Sequence, residues 1–196
     1  MTRRAAPAAL CATVAGLAFA GIASGENGAP SAPNEERANA AAPRVSLVAR
    51  GLEVPWEIAF LPDGRALVTE RPGRVRILTK AGNLRRTPAA RISVSADGEG
   101  GLLGLALDPR FGRANNFVYL YYTTASGMRL ARYRFRGDRL RFDRVILRRI
   151  EAGPIHDSGR IAFGPGERLY VATGDAGDES LPQKRSSRNG KFLRLS

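Results

Sequence analysis

Ile58-Ala59-Phe60-Leu61-Pro62-Asp63-Gly64 leads into Ala66–Thr69 (ALVT), and the same order returns twice further along the chain. Leu105-Ala106-Leu107-Asp108-Pro109-Arg110-Phe111 leads into Phe117–Thr123 (FVYLYYT). Ile161-Ala162-Phe163-Gly164-Pro165-Gly166 leads into Leu169–Thr173 (LYVAT). Each unit is an apolar-Ala-apolar run, a proline turn, and a β-rich segment that ends in threonine. Such a unit reads as two strands joined by a turn. The prolines at 62, 109 and 165 are spaced 47 and 56 residues apart.

Further short strands fill the intervals: Arg74–Leu78 (RVRIL), Leu130–Phe135 (LARYRF) and Arg144–Ile150 (RVILRRI). No segment sustains a 3.6-residue apolar period with caps, so helices are expected to be scarce. About four short strands every ~50 residues is the period of β-propeller blades. The fold class is therefore all-β, a β-propeller, with a β-sandwich as the competing architecture. A ring needs at least ~4 blades to close. From Arg44 to Ser196 there is room for about three, and the strand Lys191–Leu195 (KFLRL) ends the chain. The chain is thus expected to be part of a longer protein, or a truncated product.

Composition narrows the chemistry. The 196 residues are 43% hydrophobic and 25% charged, a globular balance. One Cys excludes a disulfide framework, and one His excludes a histidine-cluster metal site. The net charge is +13, and all but three of the 31 basic residues are arginines. They are dispersed. In Arg129–Arg136 (RLARYRFR), a strand would put Arg132, Arg134 and Arg136 on one face and Tyr133 and Phe135 on the other. That pattern favours a solvated strand face over a nucleic-acid surface.

The first residues carry a compartment signal. Met1-Thr-Arg-Arg is basic, Ala5–Ala23 is uncharged and apolar, and Ala23-Ser24-Gly25 supplies small residues before a polar Glu26-Asn27. This is the order of a secretory leader over residues 1–25, weakly apolar for a permanent span. Its removal would leave a protein with no Cys, periplasmic or secreted, and without a stable membrane span. Residues 26–43, rich in Ala, Pro, Asn and Glu, read as a flexible tether. The partial propeller then occupies 44–196.

Three loops point to chemistry. Asp97–Gly104 (DGEGGLLG) is glycine-rich but leads into a strand and lacks the P-loop Lys-Ser/Thr. Ile155–Arg160 (IHDSGR) places His156 in a polar turn just before the third repeat. Gly174–Glu179 (GDAGDE) follows that repeat's second strand. A two-stranded hairpin brings its own ends together, so Asp175 can lie beside His156. A carboxylate next to an imidazole fixes its tautomer and makes it a better general base. A serine triad is disfavoured, because no G-x-S-x-G elbow is present. Asp175, Asp178 and Glu179 lack the EF-hand spacing, so no metal site is assigned to them.

The runs 51–75, 98–111, 155–178 and 189–195, taken together, resemble the glucose/sorbosone dehydrogenase family. The resemblance implies a six-bladed propeller and an exported, pyrroloquinoline-quinone (PQQ)-dependent aldose dehydrogenase that also uses Ca2+. It implies that His156 takes the proton from the anomeric hydroxyl while hydride passes to the quinone, giving a lactone, and that Asp175 orients His156. Glu99 stands where some members have a Gln near the sugar. Glu99 and Asp157 are accordingly expected close to substrate. Ile155 departs from members with an acidic sugar contact before the His. Residues that hold PQQ and calcium are expected mostly in a second half of the propeller, so this chain alone should have little activity. The implied partners are a sugar and an electron acceptor, with no nucleic acid. Two other readings compete: an exported non-catalytic propeller that acts as a binding module, and a metal-dependent propeller lactonase.

Overall fold

The computed structural model describes residues 43–196. The leader expected over 1–25 and the tether expected over 26–43 lie outside the described residues, Pro43 excepted. Val45–Ser196 packs as one unit.

The first repeat forms β1 (Pro55–Phe60) and β2 (Ala66–Glu70), joined through the Pro62–Gly64 turn, and β3 (Arg74–Leu78) and β4 (Ala90–Arg91) complete an antiparallel sheet in the order β1-β2-β3-β4. The second repeat gives β5 (Leu102–Leu107), β6 (Phe117–Thr124), β7 (Gly127–Arg136) and β8 (Arg139–Ile150), again in sequence order. The third gives β9 (Ser158–Gly164), β10 (Arg168–Thr173) and β11 (Phe192–Leu195), with one 3-10 turn at Pro165–Glu167. The inner strand β5 neighbours β1 on one side and β9 on the other, so the three meanders are successive blades of a propeller. Every pairing between these strands is antiparallel.

Two apolar layers separate the blades. Leu67, Val75 and Ile77 of the first blade meet Leu102, Leu105, Leu120 and Tyr133 of the second. Leu103, Ala106, Tyr119 and Tyr121 meet Ile161, Leu169 and Val171 of the third. Strand β5 thus serves both layers with opposite faces. A register irregularity between Leu102 and Leu105 puts residues 102 and 105 on one side and 103 and 106 on the other. Each fully buried Leu or Ile adds roughly 1.5–3 kcal/mol of burial energy.

The threonines that end the repeats are buried, and those of the first two bridge to the next blade. The Thr69 hydroxyl donates to the Leu103 carbonyl (2.7 Å), and the Thr123 hydroxyl lies 3.1 Å from the Asp157 carboxylate. These bonds tie the first blade to the second and the second to the third. Blades two and three approach closely at Gly104, where a Cβ would fall 2.1 Å from the Gly159 carbonyl oxygen. Gly104→Ala is expected to destabilise the fold by about 1–3 kcal/mol through this overpacking, read by chemical denaturation. An unchanged midpoint would show that the blades can spread.

The arginine alternation is realised on β7. Tyr133 and Phe135 are buried and Arg134 and Arg136 are exposed. Arg132 and Arg134 stack over Phe117, and Arg132 pairs with Asp143 at 2.7 Å. The short β4 and the first five residues of β8 go beyond the strands expected from sequence.

Candidate active site

At one end of the inner strands, three loops converge. They are residues 92–101 before β5, residues 151–157 before β9, and residues 174–191 between β10 and β11. Pairing of Thr173 with Ser158 places the end of β10 against the start of β9, as a hairpin must. His156 and Asp175 emerge from those two ends. Their side chains meet, with His156 Nδ1 2.9 Å from Asp175 Oδ1. The loop backbones are also in contact, since the Ala176 N–H donates to the His156 carbonyl at 3.3 Å. A Cβ on Gly174 would sit 1.4 Å from that carbonyl, so only glycine allows the approach.

Electrostatics fix the roles. The Gly177 N–H and the His156 ring both donate to the Asp175 carboxylate, and together they hold its pKa below the usual carboxylate value. An ionised Asp175 accepts from Nδ1–H and leaves Nε2 with its lone pair free. The imidazole is 56% exposed, so Nε2 is accessible to a reactant.

Glu99 reaches the same place from the preceding blade. Its Oε2 accepts the His156 backbone N–H at 2.7 Å. It also lines an open cavity of about 500 Å3 with Val54, Trp56, Arg71, Ser158 and Arg160. Arg160 is paired with Glu57 and lies over the Trp56 ring, whereas the buried Arg71 Nε has no hydrogen-bond partner.

Asp157 does not share this site. It is 1% exposed, and its carboxylate accepts from the Gly153 N–H (2.8 Å) and the Thr123 hydroxyl (3.1 Å). The expectation that it touches substrate is therefore corrected: it is a buried strut of the His156 loop. Three residues at the site escaped the sequence reading. Arg71 and Trp56 lie in the repeat's strand-end segments, and Glu57 pairs with Arg160 across 103 residues of sequence. The one visible signal was Trp56 beside Pro55 at the start of the first inner strand.

With that geometry in place, comparison with known proteins is decisive. Residues 52–196 match the family model described as glucose/sorbosone dehydrogenase. The chain belongs to this family. Among solved structures, the PQQ-bound form of aldose sugar dehydrogenase from Streptomyces coelicolor superposes with a TM-score of 0.72 at 40% identity, covering 78% of this chain and 47% of that one. The aldose sugar dehydrogenase YliI of Escherichia coli is 28% identical over 155 residues, 74% of this chain and 41% of its own. The quinoprotein glucose dehydrogenase B of Acinetobacter calcoaceticus is 27% identical over 150 residues, 69% of this chain and 31% of its own. This glucose/sorbosone dehydrogenase family chain therefore spans less than half the length of these relatives.

Proposed function

We propose that the natural gene product is an exported sugar dehydrogenase that uses PQQ to oxidise aldoses at the anomeric carbon. One observation carries the reading: a histidine with a free Nε2, held by an ionised aspartate, stands against Glu99, which lines an open cavity. In this role His156 Nε2 takes the proton of the anomeric hydroxyl. Asp175 holds the imidazole in the accepting tautomer and stabilises the imidazolium that results. The family membership and the PQQ-bound relative support the substrate class and the cofactor of this reading. The basic, apolar, small-residue order of 1–25 supports export.

The described residues suit one flank of such a cofactor. An anionic, planar group would find Trp56 and Arg71 in the cavity, Arg71 with its Nε unpartnered although its Nη1 donates to the Gly98 carbonyl, while Arg160 is already committed to Glu57. When bound, PQQ supplies the hydride-accepting chemistry that no side chain offers. For calcium, no group of three or more His, Cys, Asp or Glu side chains converges among the described residues. No step is assigned to it.

Asp175→Asn tests the pair. The amide cannot stabilise the imidazolium and lets the ring adopt the wrong tautomer. The variant is expected to lose about 30- to 100-fold in kcat with aldose and PQQ, with KM little changed. Wild-type turnover in the variant would remove Asp175 from the mechanism.

A further inference from the structure

We propose that Glu99 is a positioning residue, its carboxylate clamping the His156 backbone N–H so that the imidazole stays seated on Asp175. The inference rests on the reading of His156 as the base. His156 adopts a φ of +61°, a left-handed conformation that a β-carbon disfavours, so something must hold it there. The 2.7 Å bond from its N–H to Glu99 Oε2 is charge-assisted and comes from the neighbouring blade, 57 residues away in sequence. The bond on the other side, from Ala176 to the His156 carbonyl, is longer at 3.3 Å.

The clamp itself is anchored. The Glu99 N–H donates to the Pro154 carbonyl at 3.1 Å, and a Cβ on Gly98 would fall 2.0 Å from that same oxygen. The two loops therefore touch backbone to backbone. Behind them, the Arg71 guanidinium donates to the Gly98 carbonyl. On the His156 loop, Asp157 is fixed in the protein interior by Thr123 and Gly153. With residues 154 and 157 both anchored, the part of the loop left to move is Ile155–His156, and the Glu99 bond is the shorter of the two hydrogen bonds that restrain the His156 backbone. The loss of this bond lets the peptide before His156 turn toward water, and the ring swings off Asp175.

The test uses the natural gene product labelled with 15N in histidine. The His156 ring is assigned as the two-bond 1H–15N pattern that disappears in His156→Gln. The wild type is expected to show the pattern of an Nδ1–H tautomer. Glu99→Gln keeps an acceptor oxygen and is expected to keep that pattern, with kcat within about threefold of wild type. Glu99→Met keeps the length but not the acceptor. It is expected to lose the Nδ1–H signature and about 100-fold in kcat. Glu99 is exposed, so neither change disturbs the core. Three results overturn the proposal. One is a Glu99→Met protein that raises KM while the tautomer pattern stays unchanged, which would make Glu99 a substrate contact only. Another is loss of the signature in a folded Glu99→Gln protein. The last is a folded Glu99→Met protein whose kcat stays at the wild-type value. If instead His156→Gln leaves turnover intact, the functional reading fails, while the tautomer pattern still decides the clamp.

Discussion

Replacing His156 with Gln is expected to lower kcat for aldose oxidation by about 1,000-fold, with KM changed no more than a few fold. The amide fills the space of the ring and can still donate to Asp175, but it cannot take a proton. A positioned general base contributes roughly 100- to 10,000-fold, so the expected loss sits in the middle of that range. The measurement is steady-state oxidation of a panel of aldoses by the natural gene product supplied with PQQ, with sugar binding followed separately by calorimetry. Loss of turnover with retained binding supports the dehydrogenase. Turnover at the wild-type rate would point instead to a propeller that binds without catalysis, the competing reading of the sequence. The Asp175 carboxyl titrates below the usual range, so it remains ionised through neutral and mildly acidic pH.

The architecture was legible because it repeats. Three Pro-turn units, each with an apolar strand before and a threonine after, locate the inner two strands of every blade, and the structure places them there. The His156–Asp175 pair was legible for the same reason, since a hairpin's two ends must meet. What escaped depends on contacts between blades. Asp157 and His156 are neighbours in sequence, but one is buried and the other exposed, and no local pattern separates them. Asp157 turns inward because Thr123, on the previous blade, offers it a hydroxyl. Glu57–Arg160 and Glu99–His156 likewise join residues more than 50 positions apart, a distance at which spacing carries no signal. The two-residue β4 has too little periodicity to be seen from sequence. It exists because Val75 on β3 pairs with Ala90.

Glu70→Ala is expected to be the most damaging single change to the fold, at about 3–5 kcal/mol. The Glu70 side chain is fully buried at the end of β2. It accepts from Arg74 Nε at 2.6 Å, from Arg76 Nη1 at 3.2 Å and from the Glu53 backbone N–H at 2.7 Å. Truncation leaves that N–H without its acceptor and Arg76 without its carboxylate, while Arg74 keeps Glu53. Removing one partner of a buried pair costs far more than the pair is worth, because the other charge is stranded. Burial alone would push the Glu70 carboxyl upward. The Arg74 bond, the Glu53 N–H and the Arg76 charge outweigh it, and the net pKa is lowered. A lowered folded-state pKa contributes stability that is fully present above the ordinary value of 4.5, and that is lost as pH falls through the folded value. The gap between wild type and Glu70→Ala should therefore be widest near neutral pH, at roughly 6 °C or more in Tm, and narrow as the pH is taken below 4.5. Glu70→Gln, which keeps an acceptor for the Glu53 N–H, should fall between them. The effect reaches the site as well, because Arg71 follows Glu70 directly and holds the Gly98 carbonyl beside Glu99. Thermal unfolding across this pH range decides the matter: a gap independent of pH would mean that the carboxylate's charge is not what stabilises the end of β2.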